Sequence, residues 1–240
     1  VISGVTKDAS SGKYVPSSLT EWNAFIAATG LTLSAPTSTW PFQEPSGSPV
    51  DVISAINLTA GGTVTYSNPV PGWTRKSCDV AAGGTNQFTS TSASLPDVLT
   101  TSMTVLMYWR APTATPASQQ TALFLGPLAK GGATSVTNTP QHNWNIGANA
   151  SLGASPIGRV MPVVARIDVT NSIGRCYTDQ DKLAPLWDPP TTGKRIGFGT
   201  NPSADGGYLY AAMWSGAAAE ISDANVKRLL QALGWTVPWS

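Results

Sequence analysis

Tyr208-Leu209-Tyr210-Ala211-Ala212-Met213-Trp214 is followed by the small-residue turn Ser215-Gly216-Ala217-Ala218-Ala219. The first run has the length and aromatic content of a buried strand. Beyond the turn and Glu220, Val226, Leu229, Leu230 and Leu233 fall at i, i+3, i+4 and i+7, one stripe of a helix running from Ser222 to about Gly234. Ser222 stands as its N-cap, Gly234 stops it, and Lys227 and Arg228 lie off the stripe. Four aliphatic side chains are enough to anchor this helix on the body of the protein without a partner. Trp235 and Trp239 follow it. A last strand with one helix folded back against the sheet is the feature around which the rest of the chain reads.

Working back from that end, short strand patterns recur between turn signals. Val163, Ala165, Ile167 and Val169 alternate inward in one run, and Arg175-Cys176-Tyr177-Thr178 leads into an Asp179-Gln180-Asp181 turn. Met103-Thr104-Val105-Leu106-Met107-Tyr108-Trp109 is apolar on both faces, as expected of a central strand. Further strands are predicted at 52–58, 63–66, 72–78, 87–89, 122–125 and 194–199, while Asn143-Trp144-Asn145-Ile146 lies among long polar loops. No repeat of 20–50 residues appears, which argues against a propeller or a solenoid.

The first 49 residues read differently. Residues 1–16 are a polar arm. Ser18-Leu19-Thr20-Glu21 matches a capping box, and Leu19, Trp22 and Ile26, helped by Phe25, form an apolar stripe that ends at Gly30. A helix over 19–29 follows, with its stripe docked on its own sandwich or on a neighbour, the latter giving an oligomer through the arm. Residues 31–49 hold Pro36, Pro41, Pro45, Gly47 and Pro49 and read as a connector pinned by Trp40 and Phe42. The expected organisation is therefore an arm, helix and connector over 1–49 and a β domain over 50–240.

Composition narrows the function classes. Charged residues make up 11% of the 240 positions, against about 25% in an average soluble domain. Ser, Thr, Asn and Gly take their place, which suits exposed β surfaces. The net charge of +1 comes from singly scattered residues, so no basic stripe serves a nucleic-acid backbone. No apolar run reaches the roughly 20 residues of a membrane-spanning helix. Cys78 and Cys176, each within a strand-like run, are either one disulfide or two buried thiols.

Four pieces in order resemble the concanavalin A-like lectin/glucanase superfamily, in particular its laminin-G-like jelly rolls. They are the strand Ser102–Arg110 ending in Trp109-Arg110, the hairpin at Arg175–Asp181, the strand Arg195-Ile196-Gly197-Phe198-Gly199, and the helix start Glu220-Ile221-Ser222-Asp223-Ala224-Asn225-Val226. The resemblance covers about residues 50–235 and implies an all-β fold, a two-sheet antiparallel jelly-roll sandwich. Where such relatives carry an aromatic and then Asp-Gly in the hairpin, this chain has Tyr177-Thr178-Asp179. The superfamily includes lectins, adhesion domains, hydrolases, lyases and virion proteins, so only the site can choose among them.

Hydrolases of this superfamily carry a Glu-x-Asp-x-Glu-type strand that places paired carboxylates on one face. Here Glu21, Glu44 and Glu220 are isolated, so the sequence predicts no glycoside hydrolase, and no enzyme. His142 is the one histidine, and Gln141-His142-Asn143-Trp144 does not match the lyase pattern of the superfamily. Asp179 and Asp181 fit a hairpin turn, with calcium ligation as the less favoured reading; no other metal or cofactor is expected. Trp22, Trp109, Trp214 and Trp235 occupy core-type positions. Trp144 with His142 and Asn143, and Trp187 with Asp188, stand in polar or Pro-rich surroundings and are the candidate ligand contacts. The expectation is a non-catalytic binding or adhesion module on an extracellular or virion surface, with a glycan or cell-surface partner. A structural or assembly subunit is the alternative, and a polysaccharide lyase a third.

Overall fold

The computed structural model describes residues 1–81, 88–90, 101–111, 120–125, 133–136, 141–145, 149–154, 158–182, 196–198, 207–219 and 221–240. Strands are numbered along the chain. The first sheet holds β1 (Ser38–Trp40), β3 (Thr63–Pro69), β4 (Lys76–Ala81), β6 (Met103–Arg110), β11 (Val160–Asp168), β12 (Ile173–Thr178) and β14 (Gly207–Ser215). Its order is β12-β11-β6-β14-β4-β3, and β1 pairs with the far end of β14, Ser38 opposite Met213. The second sheet holds β2 (Thr59–Ala60), β5 (Phe88–Ser90), β7 (Gln120–Leu125), β8 (Ala133–Val136), β9 (Gln141–Asn145), β10 (Asn149–Ala154) and β13 (Ile196–Phe198), in the order β10-β9-β8-β7-β13-β5-β2. Every pairing is antiparallel. The fold is an all-β, two-sheet sandwich with two short helices, α1 (Leu19–Thr29) and α2 (Asp223–Ala232).

The first sheet is covered on both faces, which explains why β6 is apolar throughout. Met103, Val105, Met107 and Trp109 join Val163, Ala165, Ile167, Ala211 and Met213 in the core between the sheets. Leu106, Tyr108, Val164, Ala212 and Trp214 point the other way, into a second core closed by α1, α2 and the N-terminal arm. A register shift in β14 between Tyr208 and Tyr210 inserts one residue. Tyr208 therefore packs between the sheets, whereas Leu209 and Tyr210 both join the outer core.

The arm and α1 dock on their own sandwich. Trp22 and Phe25 are fully buried, Trp22 meeting Trp214 edge-on at 5.4 Å and donating Nε1–H to Thr39 Oγ1 at 3.1 Å. The hydroxyls of Tyr108 and Tyr210 donate to the carbonyls of Tyr14 and Pro16 at 2.8 and 2.7 Å. Ser18 caps α1 by accepting from the Glu21 amide at 3.2 Å. The Glu21 carboxylate reaches past the cap to the amides of Ser17 and Thr6, at 3.1 and 2.9 Å, so half of the expected box becomes a clamp on the arm. Val226, Leu229 and Leu230 of α2 and Leu233 at its C-cap are all fully buried, the anchoring face their spacing predicts.

Two strand expectations differ from the structure for a shared reason. Residues 52–58 form no strand because the buried Asp51 carboxylate accepts from the amides of Thr39, Ile53 and Ile56, folding the segment into bends. Likewise β4 begins at Lys76 rather than at residue 72, since Asp8 takes the amides of Thr74 and Arg75 at 3.0 Å each. The Pro-rich connector, conversely, contains β1. Cys78 and Cys176 are separate, buried thiols.

Candidate functional site

The edge strand β12 and its neighbour β11 bring an unusual pair together. Arg166 and Arg175 lie directly opposite each other in the register, a like-charge pair that is destabilising unless something neutralises it. Asp223 does so. Its position in the first turn of α2, beside the N-cap Ser222, is favourable for a carboxylate. Asp223 Oδ1 accepts from the Tyr177 hydroxyl at 2.7 Å and lies 3.3 Å from Arg166 Nη1. The other oxygen pairs with Arg175 and lies 3.7 Å from Lys182 Nζ.

Asp168, two residues along the same strand face, holds Arg166 Nη2 at 2.6 Å. Burial works against the charge on Arg166, but Tyr177 and Asp168 outweigh it and raise its pKa. Burial likewise opposes ionisation of Asp168, yet hydrogen bonds from Asn171 and Arg166 hold its carboxyl below the usual range. For Tyr177, burial, together with the hydrogen bond to Asp223, pushes the phenol pKa up. At neutral pH Arg166 and Asp168 are therefore charged, and Tyr177 is a neutral phenol that donates.

An aromatic strap lies over this network. The residues after α2 alternate, with Trp235 and Val237 buried and Trp239 partly exposed. The Trp239 indole rests on Tyr177 with ring centroids 5.6 Å apart and donates Nε1–H to the Thr178 carbonyl at 2.8 Å. Lys182 and Lys227 bring their ammoniums to 5.9 and 6.0 Å from the ring centroid. At the other end of the strap, Lys13 lies 4.6 Å over Trp235, and Trp73 stacks on Trp235 at 6.1 Å. Arg159 pairs with Asp179 between these ends. Burial raises the Asp179 carboxyl above the usual range, against the opposing effect of Arg159. Trp73 and Trp239 each keep part of their surface in solvent.

The candidate residues of the sequence lie elsewhere. His142, Asn143 and Trp144 fall on β9, opposite Val136, Ser135 and Thr134 of β8, so they belong to a strand rather than to a loop. Trp187 and Asp188 lie outside the described residues, as does Glu220. Asp179 and Asp181 do form a turn: the amides of Gln180 and Asp181 both bond Thr178 Oγ1, and Thr178 N–H bonds the Asp181 carbonyl at 2.8 Å. No group of three or more metal-ligating side chains converges among the described residues, and none of the helices described is long and apolar enough to cross a membrane. The Trp239 cluster carried one sequence signal, the charged and phenolic residues at i and i+2 (Arg166/Asp168 and Arg175/Tyr177) on the faces turned away from the inward apolar positions.

No protein-family model matches the chain, and no curated protein matches it. Solved structures do. A Trypanosoma rangeli sialidase in complex with 2,3-difluorosialic acid, a covalent intermediate, superposes with a TM-score of 0.62 at 11% identity, covering 85% of this chain and 34% of the sialidase. The binding domain of botulinum neurotoxin DC in complex with rat synaptotagmin II gives 0.58 at 11% identity, covering 84% and 52%. Botulinum neurotoxin type C, described as depending on two ganglioside molecules to enter cells, gives 0.54 at 12% identity, covering 84% and 52%. The chain thus spans about a third of the sialidases' length and about half of the neurotoxin binding domains'.

These likenesses correct the expectation that the protein is not an enzyme, because sialidases are glycoside hydrolases and share the fold over most of this chain. The missing Glu-x-Asp-x-Glu strand is by itself no ground for excluding catalysis, since paired carboxylates act by their separation in space and not by sharing one strand. At 11–12% identity the comparisons establish the fold alone: the chain is a β-sandwich similar to solved structures of a sialidase and of botulinum neurotoxin binding domains.

Proposed function

We propose that this chain is a carbohydrate-binding module of the concanavalin A-like kind, acting at an extracellular or virion surface. The observation that carries the reading is the Trp239 indole, partly exposed, backed by Tyr177 and bordered by Lys182 and Lys227. A supported aromatic face stacks on the C–H face of a pyranose, while flanking charged groups bond its hydroxyls. The structural neighbours are consistent with that chemistry, since they include complexes with sialic acid and SialylT and a neurotoxin dependent on gangliosides. In this reading Trp144, with His142 and Asn143, and Trp187, with Asp188, supply a further sugar contact.

A glycan array probed with the purified chain tests the proposal, run with calcium and again with chelator. Reproducible binding to a defined set of glycans is the expected result. A blank from folded protein would refute it. Alanine at both Trp144 and Trp187 weakens binding if those residues contribute, and leaves it unchanged if Trp239 acts alone. Reading the same glycans for released sugar reports whether recognition is coupled to turnover.

A further inference from the structure

Beyond recognition of sugar as such, the charges around the strap select a ligand class. From Trp73 and Trp235 at one end to Trp239 at the other, the strap and the network beneath it gather Lys13, Arg159, Arg166, Arg175, Lys182 and Lys227. Their acidic neighbours are Asp168, Asp179, Asp181 and Asp223. Among the described residues, six cations against four carboxylates leave a local positive surplus, in a chain whose total net charge is only +1.

The arrangement is also built rather than incidental. Arg166 is more than nine-tenths buried, with its Nε unbonded among the described residues, and so is the Nε of the largely buried Arg175. Asp223 receives Arg166, Arg175, the Tyr177 hydroxyl and Lys182 together, so the fold already converges donors from two strands and a turn on a single carboxylate. Lys227 is different: its ammonium lies over Trp239 and pairs with no carboxylate among the described residues. Lys182 is shared between the Asp223 edge and the Ser240 carbonyl, at 3.7 and 2.6 Å. A cation with no counter-ion among the described residues, next to a supported indole, is half of a receptor for a sugar that carries its own acid group.

We infer that the Trp239 strap binds acidic sugars, pyranosides bearing a carboxylate, with the ring stacked on Trp239 and the acid group paired to Lys227 and Lys182. This rests on the carbohydrate-binding reading above and names its ligand class and its residues. Charge-assisted hydrogen bonds exceed neutral ones, so the acid group decides affinity while the indole decides orientation. Ionic strength then weakens binding, because both lysines keep part of their surface in solvent.

The test titrates the full chain with lactose, 3′-sialyllactose and a galacturonic acid trimer at low and high salt. The two acidic sugars separate a sialic acid from a uronic acid source of the same carboxylate. At least one of them should bind about tenfold or more tightly than lactose, with affinity falling as salt rises. Lys227→Glu should weaken that binding by about tenfold or more and leave the thermal midpoint near wild type, since Lys227 makes no ion pair among the described residues. Lys227→Gln should fall between the two, and Trp239→Phe should keep part of the affinity. Equal affinity for lactose and the acidic sugars, or acidic binding unmoved by Lys227→Glu, would overturn the ligand class while leaving a carbohydrate-binding module. Absence of binding to all three, together with a blank glycan array, would sink the module reading itself.

Discussion

Replacing Asp223 by Asn tests whether the polar network is held by one carboxylate. In the structure Asp223 is the counter-ion of two guanidiniums that face each other across the β11–β12 ladder, with side chains 8% and 15% exposed. Removing one partner of a fully buried ion pair costs about 3–5 kcal/mol. Asp223 itself is 32% exposed, so water recovers part of the loss and about 2 kcal/mol is the fitting magnitude for the pairings. Loss of a negative charge in the first helical turn adds roughly 0.3–1 kcal/mol. The expected total is about 2–3 kcal/mol, or a fall in Tm of about 5–10 °C for a chain of this size.

Urea unfolding of wild type, Asp223→Asn, Arg175→Gln and the double variant measures the effect and its origin. Because Asp223→Asn leaves two like charges opposed, removing Arg175 as well should return about 1 kcal/mol relative to the sum of the single losses. A loss below about 0.5 kcal/mol for Asp223→Asn would mean that the pairings behave as ordinary surface ion pairs. Strict additivity would show that the two arginines do not feel each other. Either result would refute the reasoning.

Other outcomes follow from the same geometry. Burial opposes ionisation of Asp8, but hydrogen bonds from Thr74 and Ser11 outweigh it and hold its pKa at about 2. A depressed carboxylate stabilises the fold above its unfolded pKa, so Asp8→Asn should cost roughly 2 kcal/mol at pH 7, the difference closing as pH falls from about 4 to 2. A pH-independent difference would assign the cost to packing. Gly207→Ala should lower stability by about 1–3 kcal/mol, because a Cβ there would collide with Asp79 Oδ1 and sit 2.6 Å from Ser77 Cβ; an unchanged urea midpoint would show that β4 yields. Trp22→Ala, at a fully buried ring against Trp214, should cost about 3–5 kcal/mol in one cooperative transition, and a separate early transition would make α1 an independent unit. Cys78 and Cys176 should resist a thiol reagent in the native protein and react as two thiols on unfolding; absence of reaction in denaturant would indicate a disulfide.

The sandwich was legible because its signals are periodic. Alternation in 163–169, the two-sided apolar run at 103–109 and the stripe of α2 each survive unchanged in the structure. Their common cause was not legible: β6 is apolar on its outer face because α1, α2 and the arm form another layer there, and that layer includes residues from both ends of the chain. Local patterns also failed where an aspartate bonded amides other than its neighbours' in a ladder, as Asp51 does at 52–58 and Asp8 does at Thr74 and Arg75. Tyr177, Arg166, Arg175 and Asp223 acquire their meaning only from the β11–β12 register and the placement of α2 over it. Trp239, outside every periodic element, offered an aromatic and nothing more until the turn at Thr178 came under it.

The most direct test of sugar recognition at the strap is the indole N–H spectrum during titration with whichever of 3′-sialyllactose and the galacturonic acid trimer binds more tightly. The sequence has nine tryptophans, and single Trp→Phe variants assign their signals. The account predicts a saturable shift of the Trp239 indole, with Trp22, Trp40 and Trp214, whose Nε1–H groups bond Thr39, Ile56 and Ser34 inside the protein, left in place. A saturable shift elsewhere that leaves Trp239 untouched, or no shift at any indole at saturating sugar, would contradict it.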